Sequence, residues 1–470
     1  MKKSAFALSP IFLGLMLASQ VGVASTFRPY STPVDCPDME EFENAQCFNL
    51  TVPADYDHID PVVPDVVDLF YSVSPVKNPN ERSGALLMNF GGPGMPASSE
   101  AAVMVQDLKE SHERRPEIGY DELNEHFDII GLDPRGTGGS AFAEAFGECA
   151  YSEQGCLSTF ESLAPYMGTN TAAKDMDALR QVLGEDKISF IGYSYGTRIG
   201  TVYADMYPEH VEKLILDSAM HPEKTQADDL YFSSLEAFEQ VMRFRLAEAG
   251  RNVNADMQKL KALIADFDHI EWFVTTDGER IRPHHFYSLL GAVRSVDIDE
   301  TWEAVKQPLF SLLDQDLGAA FVVVTESLIE RKHEELEEWK KHYNAVRRAV
   351  TCTDEHSGKP MTEKQFRNKS GIFGSYVFNH EANMCHGWSA ITDPVVIPAD
   401  LGSKLNADNV MVVGAKNDPE TPFYWSQAMR SIFGDSAVFH EIDQKVEHGL
   451  IFSFNPNPEL DKAAIEFLLR

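Results

Sequence analysis

The sequence places a serine between two glycines in a pattern that can build a nucleophile. Gly192-Tyr193-Ser194-Tyr195-Gly196 follows the apolar run KISFIGY and leads directly into a segment of helical character. A serine on such a tight strand-to-helix turn exposes its hydroxyl, and the flanking glycines relieve crowding against neighbouring strands. A serine hydroxyl is a weak nucleophile, so it requires a base that is held by an acid. An ordinary glycine-rich turn can contain the same residues. The support for a nucleophile therefore comes from the position of the motif between a predicted strand and a predicted helix.

Two later strand ends supply an acid and a base. Asp418 follows the run NVMVVGAK, and His448 follows the run AVFHEID. The order serine, acid, histidine is the one found with strand–turn–helix nucleophiles. We expect Asp418 to orient His448, and His448 to take the proton from Ser194 and deliver it to the leaving group. His440 and Glu420 are the weaker alternatives for the base and the acid.

A glycine-rich loop after an earlier strand adds hydrogen-bond donors. The segment NFGGPG at 89–94 follows the run GALLMNF, and its glycines allow backbone amides to turn towards a ligand. We expect the amides of Gly92 and Tyr195 to hold the oxyanion of a tetrahedral intermediate. The segment LDPRGTGGS at 132–140 lacks the spacing of a phosphate-binding loop. We assign it a structural role, with Arg135 paired to Asp133 or to another carboxylate.

These residues need a scaffold in which strand ends converge. From about residue 84 to 220, short apolar runs alternate with helical segments, and the alternation returns from about residue 409. Short buried strands separated by helices predict an α/β fold, a parallel sheet with helices on both faces. The run VVDLFYSVS at 66–74 and its neighbours favour antiparallel edge strands. Residues 222–400 are mostly amphipathic and helical, and we interpret them as an insertion.

The composition excludes several classes of partner. The chain has 470 residues, with 40 Lys and Arg against 73 Asp and Glu, which gives a formal net charge of −33. A hydrophobic content of 43% is that of a globular protein. Such acidity argues against general binding of nucleic acid or of anionic lipid, because like charges repel.

The first residues predict export. Lys2 and Lys3 precede an apolar stretch that ends in Gly22-Val23-Ala24, the pattern of a secretory signal peptide cleaved after Ala24. Cleavage would remove both lysines and change the formal charge to −35. Since no later stretch is long and apolar enough to span a bilayer, we expect the cleaved protein to be periplasmic or secreted and not held in a membrane.

Six cysteines lie in the part that would be exported. An oxidising compartment allows them to pair, and six cysteines permit 15 pairings among which sequence alone does not choose. The simplest expectation pairs neighbours: Cys36–Cys47, Cys149–Cys156 and Cys352–Cys385. No His/Cys cluster has metal-ligand spacing, so we expect no metal and no other cofactor.

Taken together, these motifs resemble a known family. NFGGPG, LDPRGTGGS, GYSYGTRIG and the late DPETP and EHG look like the secreted tripeptidyl aminopeptidases, of the α/β-hydrolase group that includes proline iminopeptidases. The resemblance covers about residues 34–468 and is thin across 225–345. It implies a serine exopeptidase acting at free N-termini, an α/β-hydrolase core and a helical cap. It also implies that the Cys352–Cys385 disulfide lies near the cap's return to the core.

The chain departs from the family pattern in places. Phe90 stands where iminopeptidases carry His, and Glu447 precedes His448 where a glycine is common. The iminopeptidase cap acids that hold the substrate's amino group have no convincing match here. An aminopeptidase needs an anion for that ammonium group. Glu236 and Glu239 in the cap are weak candidates, because a solvated helix face is the commoner role for such residues.

The prediction is therefore a chain in four parts: a signal peptide (1–24), a first core part (25–221), a helical cap (222–400) and a second core part with the acid and base (401–470). The predicted function is an exported serine exopeptidase that forms an acyl-enzyme on peptides with free N-termini. An esterase or other small-molecule hydrolase would use the same triad. A non-catalytic binding module on this scaffold is a third possibility, against which the complete triad argues. The sequence does not indicate an oligomeric state.

Overall fold

A computed structural model gives the fold. It describes residues 27–37, 42, 44–58, 65–224, 226–267, 273–274, 280–281, 290–294, 300–314, 334–355, 360–382, 384–443, 445–453 and 455–470. The predicted signal peptide lies outside the described residues. Within them, no helix combines the length and the apolar character that a membrane span requires.

Nine of the described strands form one sheet with the order β1-β2-β3-β5-β4-β6-β7-β10-β11, and β8 and β9 pair separately. The strands are β1 Tyr30–Val34, β2 Gln46–Pro53, β3 Val66–Ser74, β4 Gly84–Asn89, β5 Phe127–Leu132, β6 Ile188–Tyr193, β7 Val211–Asp217, β8 Phe273–Val274, β9 Arg280–Ile281, β10 Val410–Ala415 and β11 Ala437–Ile442.

The sheet is parallel except at one edge. Strands β4 to β7, β10 and β11 run parallel to one another, whereas β1, β2 and β3 pair antiparallel, β3 with β5 included. The predicted strands coincide with observed strands to within two residues at each end. The predicted α/β-hydrolase fold, including its antiparallel edge strands, is confirmed.

Most helices cover the two faces of the sheet or lie in the segment between β7 and β10. They are α1 Ser98–Arg114, α2 Glu122–His126, α3 Ala143–Tyr151, α4 Leu157–Leu163, α5 Thr169–Leu183, α6 Tyr195–Met206, α7 Ala227–Glu248, α8 Val253–Phe267, α9 Glu300–Leu313, α10 Glu334–Asp354, α11 Glu363–Lys369, α12 Gly374–His380, α13 Phe423–Phe433 and α14 Pro458–Leu469.

Each face of the sheet has its own hydrophobic core. Leu87 packs with residues of α5, α6 and α13 on one face, while the adjacent Leu86 packs with residues of α1 and α14 on the other. Successive side chains of a strand point to opposite faces, so a strand covered on both sides must be apolar at every position. All six residues of β4, β6 and β10 are accordingly buried.

The segment between β7 and β10 builds a third core. Helices α7 to α12 lie within it, and a separate hydrophobic cluster contains Phe238, Val305, Phe366 and Phe373. The chain then returns, and β10 pairs directly with β7. This agrees with an inserted helical cap, while its predicted limits, residues 222 and 400, stay a prediction.

All six cysteines are paired as neighbours along the chain. The structure joins Cys36 to Cys47, Cys149 to Cys156, and Cys352 to Cys385. The third bond links the end of α10 to the segment after α12, where the chain leaves the inserted helices.

Arg135 forms a buried ion pair, and its partner is Asp175 on α5. The guanidinium donates through Nε and Nη2 to the two carboxylate oxygens at 2.9 Å each, and to the carbonyls of Pro53 at 2.8 Å and Ala54 at 2.6 Å. The carboxylate also accepts a hydrogen bond from the hydroxyl of Tyr56 at 2.8 Å. The predicted structural role therefore consists of joining the end of β2 to α5.

Asp133, the first partner considered for Arg135, does something else. Its buried carboxylate accepts the amides of Ala97 and Ser98 at 2.8 Å each and of Gly139 at 3.0 Å. It thereby fixes the start of α1 against the loop that follows β5.

We predict that Arg135→Ala lowers the free energy of unfolding by roughly 3–5 kcal/mol, because the substitution leaves the carboxylate of Asp175 buried and unpaired. Urea unfolding followed by tryptophan fluorescence measures this. Arg82→Ala is the matched control, since Arg82 pairs with Asp128 and Glu185 while its side chain is 31% exposed. Such a pair contributes less than about 1 kcal/mol. Equal losses in the two variants would contradict the role assigned to Arg135.

Candidate active site

Ser194 lies on a tight turn between β6 and α6. Its backbone has φ +54° and ψ −119°, a conformation that an L-residue adopts only when its surroundings impose it. A Cβ on Gly192 would lie 2.5 Å from the backbone of Gly196, and a Cβ on Gly196 would lie 2.7 Å from the carbonyl oxygen of Asn89. Both glycines are therefore required by close backbone contacts, as the sequence motif suggested.

Asp418 and His448 lie against each other. Asp418 follows β10 and is 2% exposed, and each of its carboxylate oxygens is 3.0 Å from Nδ1 of His448. The same carboxylate accepts the amides of Glu420 and Thr421 at 2.8 Å each and the hydroxyl of Thr421 at 2.9 Å. The carboxylate is held by its own loop, so it can hold the imidazole in a fixed orientation.

The surroundings of His448 favour its protonated form. Burial acts against the charge, but the charge of Asp418 and the hydrogen bond to it outweigh burial and raise the pKa of His448 to about 9. The charges of Glu420 and Asp217 act in the same direction. An imidazole whose cation is stabilised in this way is suited to accept a proton from a hydroxyl group.

The loop that carries His448 is attached to the strand end that carries Ser194. The hydroxyl of Tyr193, the residue before Ser194, donates to the carbonyl of Ile451 at 3.0 Å. The amide of Ser194 donates to the carbonyl of Asp217 at 2.9 Å, and the carboxylate of Asp217 accepts the amide of Ile451 at 2.7 Å. The three predicted triad residues thus follow β6, β10 and β11, three parallel strands of the same sheet, and β7 lies between the first two.

The glycine-rich loop after β4 runs directly past the nucleophile turn. Gly91, Gly92 and Gly94 all have φ between +88° and +113°, which side-chain-bearing residues rarely adopt. A Cβ on Gly91 would lie 2.9 Å from the Cβ of Ser194 and 3.3 Å from the amide nitrogen of Tyr195. The run of glycines in the sequence pointed to this loop and to Gly92 as a donor, but not to Gly91 as the residue that packs against Ser194.

The side chain of Tyr195 has a separate role that the sequence did not indicate. Its buried hydroxyl is 2.7 Å from Oγ1 of Thr169, which donates to the carboxylate of Asp354 at 2.5 Å. The amide of Thr169 donates to the same carboxylate at 2.7 Å. Burial raises the pKa of Asp354 to about 6, with the hydrogen bonds from Thr169 acting against it. The end of α10 is thus hydrogen-bonded to the start of α5 and, through it, to the residue beside Ser194.

Helix α10 also lies against the glycine-rich loop. A Cβ on Gly94 would be 3.1 Å from the carbonyl oxygen of Tyr343 and 3.2 Å from its ring. Nε2 of His342 is 2.9 Å from the carbonyl of Gly136. Trp339 stacks on Tyr343 with 5.0 Å between ring centroids. A helix of the insertion therefore covers the loop that is predicted to hold the oxyanion.

The loop of Asp418 contacts the insertion through ion pairs. Arg294 forms an ion pair with Glu420 and donates to the carbonyl of Pro419 at 3.3 Å. Glu381 lies 2.7 Å from Arg347 and 3.9 Å from Arg294. The side chains of Arg294, Arg347 and Glu381 are 12–17% exposed, whereas Glu420 is 46% exposed. Glu420, the alternative acid, thus faces the insertion and not His448 Nδ1.

The cap candidates Glu236 and Glu239 lie at a contact between α7 and the α11 region. Glu236 forms an ion pair with Lys369, and Glu239 accepts a hydrogen bond from Ser370 at 2.7 Å. His440, the alternative base, lies in β11, where burial lowers its pKa. Within the described part of the chain, no group of three His, Cys, Asp or Glu side chains is arranged to hold a metal ion.

Comparison with known proteins gives two family matches and several relatives. A family described as alpha/beta hydrolase fold matches residues 84–271, and one described as TAP-like protein matches residues 370–470. Serine protease Hip1 of Mycobacterium tuberculosis (H37Rv) is 26% identical over 438 residues, which cover 81% of this chain and 77% of that protein. Tripeptidyl aminopeptidase of Streptomyces coelicolor is 24% identical over 464 residues, with 87% and 79% covered. Carboxylesterase B of M. tuberculosis (CDC 1551) is 25% identical over 426 residues, with 82% and 78% covered.

We predict that the reactivity of Ser194 rises with pH through an apparent pKa well above the ordinary 6.5 of histidine and near the value of about 9 for His448. Below that pKa the imidazole is protonated and does not accept the serine proton, so reactivity falls as the pH falls. The rate of labelling by a fluorophosphonate, measured from pH 5 to 10, gives the midpoint.

The control for this profile is His440→Gln, which we expect to leave the midpoint unchanged. A midpoint at or below 6.5 in the unmodified protein, or a shift caused by His440→Gln, would count against His448 as the base.

Proposed function

We propose that the chain is an exported serine exopeptidase of the TAP-like α/β-hydrolases, which cleaves peptides near free N-termini through Ser194, Asp418 and His448; the matches to an alpha/beta hydrolase fold over residues 84–271 and to a TAP-like protein over residues 370–470 support this. The observation that carries this proposal is the bond between Asp418 and Nδ1 of His448, on a loop attached to the strand end of Ser194. That bond leaves Nε2 as the ring nitrogen available for proton transfer.

In the proposed reaction, His448 removes the proton from the hydroxyl of Ser194 while its oxygen attacks the scissile carbonyl carbon. The carbonyl oxygen becomes an oxyanion, for which the amides of Gly92 and Tyr195 are the proposed donors. His448 then gives the proton to the leaving amine, and the C–N bond breaks to leave an ester on Ser194. Water then attacks this ester while His448 takes a proton from it. His448 returns the proton to the oxygen of Ser194 as the carboxylic acid product leaves.

The names of the relatives support peptides as substrates. Two relatives that align over most of their length are a serine protease and a tripeptidyl aminopeptidase. The pairing of all six cysteines supports export, since disulfides persist in oxidising compartments.

A free N-terminus requires an anion near the reacting groups, and Glu420 is the acid that we propose for this role. It lies two residues after Asp418, its charge reaches His448, and its side chain is 46% exposed. Glu381 is less suitable because it is 17% exposed and lies between two arginines. An ammonium group binding Glu420 would share this carboxylate with Arg294.

An esterase is the second candidate. Carboxylesterase B aligns with this chain over a similar length and at a similar identity to the two peptidases. Ester and amide hydrolysis use the same triad, so the choice of substrate depends on the groups around it. The two candidates differ in whether a free ammonium group on the substrate accelerates the reaction.

We predict that Ser194→Ala lowers kcat by roughly 10⁴-fold or more on a peptide p-nitroanilide, because no other group supplies the attacking oxygen. Circular dichroism and urea unfolding should remain those of the unmodified protein. Turnover comparable to the unmodified protein would refute the proposed mechanism.

We predict that Glu420→Gln raises KM about tenfold or more for a p-nitroanilide with a free N-terminus, because a charge-assisted hydrogen bond is lost. KM for a p-nitrophenyl ester without an amino group should be unchanged, and kcat near neutral pH should not fall, because the charge of Glu420 helps to raise the pKa of His448. Glu236→Gln is the control, since Glu236 pairs with Lys369 in the insertion.

Three outcomes separate the possibilities. A KM increase in Glu236→Gln alone would place the ammonium site in the cap. Equal rates of the unmodified protein on free and N-acetylated peptides would contradict the exopeptidase. Faster hydrolysis of simple esters than of any peptide would favour the esterase.

A further inference from the structure

The dipeptide Asp217-Ser218 at the end of β7 contacts all three loops of the proposed triad. We propose that this dipeptide, which we name the β7 junction, is a positioning element that fixes His448 relative to Ser194, so that Asp217 sets the turnover rate without touching substrate. The inference rests on the proposed function, because it assigns a role around the same three residues. Neither Asp217 nor Ser218 was singled out by the sequence.

Asp217 binds the histidine loop through its carboxylate and the nucleophile turn through its backbone. Its Oδ2 accepts the amide of Leu450 at 2.6 Å and that of Ile451 at 2.7 Å. Its carbonyl oxygen accepts the amide of Ser194 at 2.9 Å. The residue is completely buried. Asp217 therefore connects the backbone of Ser194 to the turn after His448 through its own hydrogen bonds.

Ser218 extends these contacts to the residue next to His448 and to the acid loop. Its Oγ accepts the amide of Gly449 at 2.9 Å and lies 3.1 Å from Oδ1 of Asp217. Its carbonyl accepts the hydroxyl of Thr421, which also binds Asp418, at 3.1 Å. Ser218 has φ +55°, which turns its backbone out of the strand direction. The two residues together bind three successive amides, 449 to 451, immediately after His448.

A carboxylate at this position is costly, which indicates a specific use. Among the described residues, no lysine or arginine lies within ion-pair distance of Asp217, and β7 is otherwise apolar from Leu214 to Leu216. Burial raises the pKa of Asp217 to about 6, and the amides of Ile451 and Leu450 act against that rise. An anion binds two adjacent N–H groups through one oxygen more strongly than a neutral acceptor does. The hydrogen bonds from the amides of Leu450 and Ile451 thus offset the free-energy cost of burying the carboxylate, and they fix the turn after His448.

The test compares Asp217→Ala with Asp217→Asn. Alanine removes the acceptor of two amides, and we expect kcat to fall at least 100-fold while KM changes less than threefold. Asparagine keeps an oxygen that can accept both amides, and we expect it to retain kcat within tenfold of the unmodified protein. The labelling rate with a fluorophosphonate, which needs no peptide binding, should follow kcat in both variants.

Asp461→Ala is the matched control. Asp461, in the first turn of α14, is also a fully buried carboxylate, and it accepts the amide of Phe452 at 2.8 Å, one residue beyond the contacts of Asp217. It contacts neither Ser194 nor residues 449–451, so we expect kcat within threefold of the unmodified protein even if unfolding occurs at lower urea. Equal losses of kcat in Asp461→Ala and Asp217→Ala would mean that both variants act only by destabilising the loop after His448. That result would overturn the inference.

A third variant keeps the inference testable if Asp217→Ala does not fold. Ser218→Ala removes the acceptor of the Gly449 amide and the hydroxyl that donates to Asp217, but it keeps both hydrogen bonds from the amides of Leu450 and Ile451 to Asp217. We expect a three- to tenfold loss of kcat with KM unchanged. Unchanged kcat in Ser218→Ala, or full activity in Asp217→Ala, would overturn the positioning role. Failure of the proposed function is recognised separately, because Ser194→Ala would then remain active whatever the junction variants do.

Discussion

The pairing of β7 with β10 is the interaction on which the rest of the site depends. Val410 to Val413 of β10 lie in parallel register with Leu214 to Asp217 of β7, although residues 218–409 separate the two strands along the chain. The entropic free-energy cost of closing a loop grows slowly, by about 0.6 kcal/mol for each doubling of the loop length. A long insertion is therefore tolerated, provided that the strand ends are buried well enough to pair. Once β10 is paired, Asp418 and His448 lie at the carboxyl ends of the parallel strands, where Ser194 also lies.

Buried carboxylates fix several loops at or near the carboxyl ends of the parallel strands. Asp133 holds the start of α1, Asp217 holds the turn after His448, Asp354 holds the start of α5 and Asp461 holds the amide of Phe452. Each is buried and accepts backbone amides. An unpaired buried charge is destabilising, so these groups persist where N–H or hydroxyl donors compensate for the loss of water. These hydrogen bonds attach the loops around Ser194 and His448 to the sheet and to its helices.

The inserted helices contact this rigid edge at two points with different chemistry. Against the glycine-rich loop the contact is aromatic and close, through Tyr343. Against the acid loop it is ionic, through Arg294 and Glu420. We propose that bond cleavage takes place in the core, while Glu420 and its neighbours at the contact with the insertion select the substrate. The same division explains how a carboxylesterase and two peptidases can all align with one chain.

The sequence by itself determined the strands of the parallel sheet, because strands covered on both faces are apolar runs whose pattern is local. It also suggested Ser194, Asp418 and His448 as a triad, because they follow β6, β10 and β11 in the order that strand–turn–helix nucleophiles use. It did not determine the partner of Arg135, which is Asp175 on α5, nor the contacts of Asp217, Asp354 and Glu420. These residues look like ordinary acids in the sequence. Their roles depend on which distant amides, hydroxyls and guanidinium groups the folded chain brings within about 3 Å, and only the tertiary structure decides that.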